Sequence, residues 1–382
     1  MSDSQLFLFI LVAVYLGECL TLVPRDAVAL LASWTDRWRV GFPSALMGSA
    51  KLGMIFGNPL PPLGRTLFCQ AWPFSVSPDA IYGYTALTAH PEGRTGQSGR
   101  FWPFEQVRTV SAEEKNVLIN GEKFCRALSA PHAASLASLI REMVRMLPGN
   151  REEAIARALR DALDTRTVAV RAESWREHER GLRWLANAVF VMVFAVCPLV
   201  AVGYGLWSTW PYLLAALLGL MIAIAVMLSR AHRVIHPGAG GDRVLSVALA
   251  ATVPTITIRA CDYLSRDLLA GFHPLAAAHA LLAPGEFRRF ARRILLDARE
   301  PIRPVCPSAE AGAAECESWY RARLREEMET FLSAQGIQPG DLAAPPAPRD
   351  AQSAGYCPRC EGQFTQPEGT CGNCGGIPVR AF

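Results

Sequence analysis

The stretch that decides the architecture is WLANAVFVMVFAVCPLVAVGYGLW, Trp184–Trp207, followed by STWP, Ser208–Pro211, and YLLAALLGLMIAIAVMLS, Tyr212–Ser229. No Asp, Glu, Lys or Arg falls between Arg183 and Arg230. An α-helix rises about 1.5 Å per residue, so roughly 20 apolar residues cross the hydrocarbon core of a bilayer. Two such runs with a four-residue connection predict a transmembrane helical hairpin over 184–229 that turns at Ser208–Pro211. Trp207, Trp210 and Tyr212 cluster at the turn and Trp184 marks the other end, where aromatic side chains sit at the two membrane–water interfaces.

Composition agrees with a membrane protein. Of 382 residues, 51% are hydrophobic and 19% charged, and the mean hydropathy is +0.18. A disordered chain needs the opposite balance. The net charge of +4 implies no polyanionic partner. Arginine supplies 35 of the 38 basic residues, the codon signature of a GC-rich bacterial genome.

A third apolar run, 6–23, is just long enough to span. A cleaved signal peptide would want a basic segment ahead of it, and Met-Ser-Asp-Ser-Gln has none. Leu16-Gly17-Glu18-Cys19 resembles a lipobox, but Glu18 stands where that motif needs a small residue, so an uncleaved anchor is expected. None of the 38 basic residues lies in 1–24 or 184–229; 25–183 holds 21 and 230–382 holds 17. With Arg25, Arg176, Arg180, Arg183, Arg230 and Arg233 close to span ends, the positive-inside rule puts the N-terminus and the hairpin tip outside, and 25–183 and 230–382 in the cytoplasm. Val244–Ile258 is apolar but short and holds Pro254, which predicts a buried or interfacial segment.

Segment 25–183 has room for a domain. Leu30, Leu31, Trp34 and Trp38 predict an interfacial helix over Arg25–Arg39, and Asn58–Gly64 reads as a polyproline-type connector. Short strands follow around the Pro78-Asp79 turn, at Val107–Val110, Val117–Ile119 and Lys123–Ala127, with Asn120-Gly121 as a two-residue hairpin signal. Leu136, Leu139, Ile140, Met143, Val144 and Leu147 recur at three and four, so a helix closes the set, capped by Ser129 with Pro131 near its start. Arg151–Leu163 and Val168–Arg183 read as helices mixing Arg and Glu with Ala and Leu, the second running on into the hairpin with its charges as a solvated face.

Strands closed by one amphipathic helix, with Phe101-Trp102-Pro103-Phe104 before a strand and the Asn120-Gly121 hairpin, resemble a pleckstrin-homology-like domain over 60–147. The resemblance implies a cytoplasmic binding or scaffolding module without catalysis. No basic lipid pocket can be assigned.

After the hairpin, 244–334 is helical. Phe287, Phe290, Ile294 and Leu295 share a face, and Arg288, Arg289, Arg292 and Arg293 interleave with them. They read either as solvated arginines on a packed helix or as a helix on anionic lipid. The Pro- and Ala-rich 335–355 reads as an unpacked linker.

Seven of the 11 cysteines, Cys19, Cys69, Cys125, Cys197, Cys261, Cys306 and Cys316, are scattered and expected to be free thiols. Cys69 with His90 has no local support as a nucleophile pair. The last four differ: Cys357-Pro-Arg-Cys360 and Cys371-Gly-Asn-Cys374 repeat one spacing ten residues apart. Two tight turns offering two thiolates each make a closed tetrahedral zinc site with Cys357, Cys360, Cys371 and Cys374 as ligands. Gly362, Gly375 and Gly376 follow the second cysteine of each pair and permit left-handed backbone. The module resembles a zinc ribbon over 356–378. Rubredoxin-type iron sites space their pairs farther apart, disulfides would require an exported tail, and four cysteines leave no open position for catalytic zinc. With only Arg359 and Arg380 against Glu361 and Glu368, it suits protein contact over nucleic acid.

His232 and His236, at i and i+4, have no evident third ligand, and His273 and His279 share no helix face well. Glu18 is an acid inside a span and so a functional candidate. No phosphate-binding loop, dinucleotide-binding glycine pattern or nucleophile elbow occurs. The chain reads as a multi-domain α+β membrane protein with three transmembrane helices, a cytoplasmic β-rich domain, a helical segment and a zinc ribbon, and it resembles a bacterial inner-membrane protein. The expected function is a membrane scaffold or adaptor without catalysis. The alternatives are a membrane enzyme or transport component using Glu18, or a tethered regulator touching nucleic acid through the ribbon.

Overall fold

The structure is a computed structural model that describes residues 9, 12–13, 28–32, 38–41, 65–83, 100–236, 240–265, 267–300, 312–374 and 376–382. The run 6–23 lies outside the described residues except Phe9, Val12 and Ala13, which are helical. So do Glu18, Cys19, the connector 58–64, His90 and Cys306.

The interfacial helix expected over Arg25–Arg39 is instead a strand pair. Strands β1 (Val28–Ala32) and β2 (Trp38–Gly41) run antiparallel, and β1 also pairs with β3 (Arg65–Gln70), Val28 opposite Cys69. Helical spacing over so short a run is a weak signal, and a partner strand more than 30 residues away overrides it.

Next come two antiparallel three-stranded sheets: β4 (Phe74–Val76), β5 (Ala80–Gly83) and β6 (Arg100–Pro103), then β7 (Val110–Glu113), β8 (Asn116–Ile119) and β9 (Glu122–Arg126). Ser77 closes the Pro78-Asp79 turn, its amide donating to the Ala80 carbonyl at 2.9 Å. Asn120 (φ +53°) and Gly121 (φ +81°) both adopt the positive φ of a type I′ hairpin turn. The strand expected at Val107–Val110 starts only at Val110. Asn120 explains the shift: its Oδ1 accepts from the Arg108 and Thr109 amides at 2.8 and 3.0 Å and its Nδ2 donates to the Gln106 carbonyl at 2.7 Å, which holds 106–109 off the ladder.

Helix α1 (Ala130–Arg145) follows. The Ser129 hydroxyl accepts from the His132 amide at 3.2 Å as its N-cap. Together with α2 (Pro148–Ala162) it closes a core of Phe74, Ile81, Val117, Ile119 and Phe124, contributing Leu136, Ile140 and Ile155. Arg151 of α2 points inward, and in the next helix Glu179 is buried, against the solvated face expected for the charges of 168–183. Arg151 is buried over the Phe104 ring, 4.3 Å from the centroid, and donates to the Met143 and Pro78 carbonyls at 2.9 and 2.8 Å.

Helix α3 (Thr165–Val191) passes through a π-turn, Met192–Val196, into α4 (Cys197–Tyr204) without a break. The chain then reverses at Gly205, whose φ of +82° suits glycine, and α5 (Leu206–Ile235) returns. The turn is therefore not at Ser208–Pro211. The Ser208 and Thr209 hydroxyls donate to the Tyr204 and Gly205 carbonyls at 2.7 and 2.8 Å, which makes these residues part of the first helical turn, and Pro211 is accommodated near the helix start. Thr165–Tyr204 and Ser208–Ile235 are long and apolar enough to cross a membrane. Their tip-ward surface is uncovered, with Leu199, Val202, Tyr204, Tyr212 and Ile222 all more than half exposed.

Short helices α6 (Gly240–Thr252), α7 (Pro254–Ile258) and α8 (Ala260–Ser265) pack on the hairpin, and β10 (Leu269–Ala270) joins β3 in parallel. Helices α9 (Pro274–Leu281), α10 (Pro284–Arg299), α11 (Ala313–Ala334) and α12 (Pro339–Leu342) complete the body. One large core joins both flanks of the hairpin: Leu67 of β3, Trp175 and Leu182 of α3, Leu228 of α5, and Leu275, Phe290, Leu295 and Leu332 from beyond it. The 335–355 segment is not an unpacked linker. Leu342 inserts into this core, while Pro345 and Pro348 stay exposed. The tail ends in five two-residue strands, β11 (Gly355–Tyr356), β12 (Gln363–Phe364), β13 (Thr370–Cys371), β14 (Ile377–Pro378) and β15 (Arg380–Ala381).

Candidate metal centre

Two knuckles build the site. In the first, the Glu361 amide donates to the Cys357 carbonyl and the Cys357 amide to the Gly362 carbonyl, both at 2.9 Å. In the second, the Gly376 amide donates to the Cys371 carbonyl at 3.0 Å. The left-handed residue is Glu361 (φ +60°) in the first and Gly376 (φ +87°) in the second, so Gly362 is not the conformational pivot expected of it. Its lack of a side chain matters sterically, since a Cβ there would stand 3.4 Å from the Cys360 sulfur.

The turns bring Cys357, Cys360, Cys371 and Cys374 together, with their sulfurs all within 4.8 Å of one another and those of Cys360 and Cys371 3.6 Å apart. Tetrahedral zinc with Zn–S bonds of about 2.3 Å requires sulfurs separated by about 3.8 Å, so the donor set and its spacing fit a closed four-thiolate ion site. Cys357, Cys371 and Cys374 are buried, and Ile377 and Phe364 pack against them. Tyr356, with its ring centroid 5.2 Å from that of Phe382, covers the adjoining sheet. The module buries too little apolar surface to fold without an ion or its neighbours.

The ribbon does not stand free of the body. It docks on α10 through three ion pairs of alternating polarity. Arg359 Nε lies 2.8 Å from Asp297 Oδ1, Arg292 pairs with Glu361, and Arg380 pairs with Glu300 at the end of α10. Arg292 also donates to the Leu342 and Ala344 carbonyls, which seats the 335–355 segment. Burial pushes the Asp297 carboxyl up from the usual range, and Arg359 and Arg293 pull it back. Of the five α10 arginines, Arg288 and Arg289 are exposed, whereas Arg292, Arg293 and Arg299 are engaged within the protein. The sequence signal is faint: Asp297 and Glu300 are i,i+3 neighbours with charge opposite to Arg359 and Arg380, and Arg292 has charge opposite to Glu361.

Among the described residues, the other candidates do not assemble into a site. Cys69 is buried in β3, and desolvation pushes its thiol far up, the reverse of an activated nucleophile. The His232 and His236 rings lie 4.9 Å apart, but His236 Nε2 meets the Leu264 carbonyl at 3.0 Å. His273 uses Nδ1 to cap α9 through the Leu275 amide, and His279 packs edge-on to Phe287. Among the described residues, an open groove of about 880 Å³ runs between α2 and α11. Its Arg299 and Arg323 are already paired with Glu329 and Glu326 at 2.9 and 2.7 Å.

No family model, curated protein or solved structure matches the chain.

Proposed function

We propose that the chain is an integral scaffold or adaptor of a bacterial inner (cytoplasmic) membrane, with a zinc ribbon as its protein-interaction module and no catalysis. In this reading the N-terminus lies outside, and 25–183 and 230–382 face the cytoplasm. The 60–147 region acts as a pleckstrin-homology-like scaffolding unit. The bare apolar surface of the hairpin supports the membrane assignment, because exposed apolar area of this extent belongs in lipid or an interface.

The observation that carries the reading is the seating of the ribbon. One side is fixed to α10, and the opposite loop, Thr365–Thr370 with Gly372 and Asn373, is exposed. A module held this way presents a defined surface on a rigid body, as recognition requires. Both ribbon arginines are engaged by Asp297 and Glu300, which leaves little positive charge for a phosphate backbone. Zinc closes the four-sulfur site and supplies the folding free energy.

Cross-linked pull-down from native membranes tests this, comparing the parent with Cys357→Ser/Cys371→Ser. A protein partner should be recovered with the parent and lost with the variant, while both remain in the membrane fraction. The same partners from both would remove the ribbon from recognition.

A further inference from the structure

Helices α5 and α6 are joined by only four residues, His236–Ala239, and pack along one another, so they must run antiparallel. Helix α6 thus turns back along the hairpin. At about 1.5 Å per residue its 13 residues reach back about 20 Å, level with Met221–Ile224 of α5 and near the middle of the run Tyr212–Ser229. The chain then breaks at Val253-Pro254 and returns. By Leu264 it is level again with the end of α5, where the Leu264 carbonyl meets His236 Nε2 at 3.0 Å. No charged residue falls in 244–258.

The break is sealed internally. Pro254 has no amide proton for the Ala250 carbonyl four residues earlier, and that carbonyl accepts the Thr257 hydroxyl at 2.5 Å. The Thr252 hydroxyl donates to the Ala248 carbonyl at 2.9 Å. Ala250 and Thr257 are fully buried, whereas Val244 and Leu245 are 67% and 60% exposed.

From this excursion we infer that α6 and α7 form a re-entrant segment that enters the bilayer to about its midplane from the cytoplasmic side, with acyl chains covering Val244 and Leu245. The inference rests on the membrane reading of the hairpin and adds a membrane segment that does not cross. Broken helices occur at membrane depth where protein buries them and side chains satisfy the freed backbone groups, as Thr257 does here.

The test uses full-length protein in phospholipid vesicles. A lipid-dissolved carbene photolabel should mark both the hairpin (Leu214, Leu218, Ile222) and Val244–Leu245. In parallel, nitroxides on Gly241→Cys, Leu245→Cys and Thr252→Cys, read against the parent as background, should lose contact with a water-soluble nickel chelate progressively from 241 to 252. Labelling of the hairpin with 244–245 unmarked, or equal nickel contact at 241 and 252, overturns the re-entrant segment and leaves the hairpin's insertion standing. Absence of label from both overturns insertion itself.

Discussion

At the scale of single residues, two histidines make the fold sensitive to acid. His132 is buried and His273 half-buried, and desolvation lowers both from the usual 6.5 to about 4. Each is neutral when folded and takes up its proton more readily when unfolded. Its contribution is therefore complete above pH 6.5 and is lost as the pH falls toward 4, amounting to at most about 3 kcal/mol per residue. Urea unfolding in detergent should show stability falling through that window, with a shallower fall for His132→Phe; identical profiles would mean that His132 has the same pKa folded and unfolded. Gly83 makes a steric demand. A Cβ there would lie 2.6 Å from the Phe124 ring and 2.9 Å from its backbone oxygen, so Gly83→Ala should cost about 1–3 kcal/mol in the same assay. Residue-level signals were legible where they are local: the Asn120-Gly121 turn and the Ser129 cap depend on two to four neighbouring residues. Gly205 was passed over for Ser208–Pro211 because hydroxyl-to-carbonyl bonds let polar residues sit inside a helix, and composition alone does not show that.

At the scale of elements, the ribbon and the α6–α7 pair make separate predictions. Chelation of the metal, or Cys371→Ser, should unfold 356–378 and uncover α10. Amide exchange should then accelerate in the ribbon and around Arg292–Glu300, while β4–β9 remains protected. Thr257→Val keeps the shape of the side chain but leaves the Ala250 carbonyl unsatisfied, which should destabilise the fold by about 1–3 kcal/mol, with Thr257→Ser retaining most of it. Elements with a strong period or a strict spacing were readable: the hairpin, α1 and the paired cysteines. The segment around β1 and β2 was not, because its structure is decided by β3. The 335–355 segment was not either. Its proline content predicts an extended chain, and only the three-dimensional position of Arg292 shows that the chain is held in place.

At the scale of the whole molecule, the hairpin's bare surface predicts behaviour in solution. The chain should resist alkaline carbonate extraction and aggregate without amphiphile; recovery as a dispersed species in plain buffer would contradict its insertion. The four-sulfur site was legible to the residue. Its place against α10 was not, since complementary charges in sequence do not reveal which surfaces meet.

The pairing of β3 with β10 has a consequence for biosynthesis. About 200 residues separate the two strands, including the whole hairpin. At about 5–20 residues per second, one edge of β3 waits roughly 10–40 s for its neighbour to emerge. The large core thus closes only after the hairpin has been made, and if the hairpin inserts in a membrane as proposed, a stall in its delivery would leave a nascent β-strand edge open to mispairing or chaperone capture.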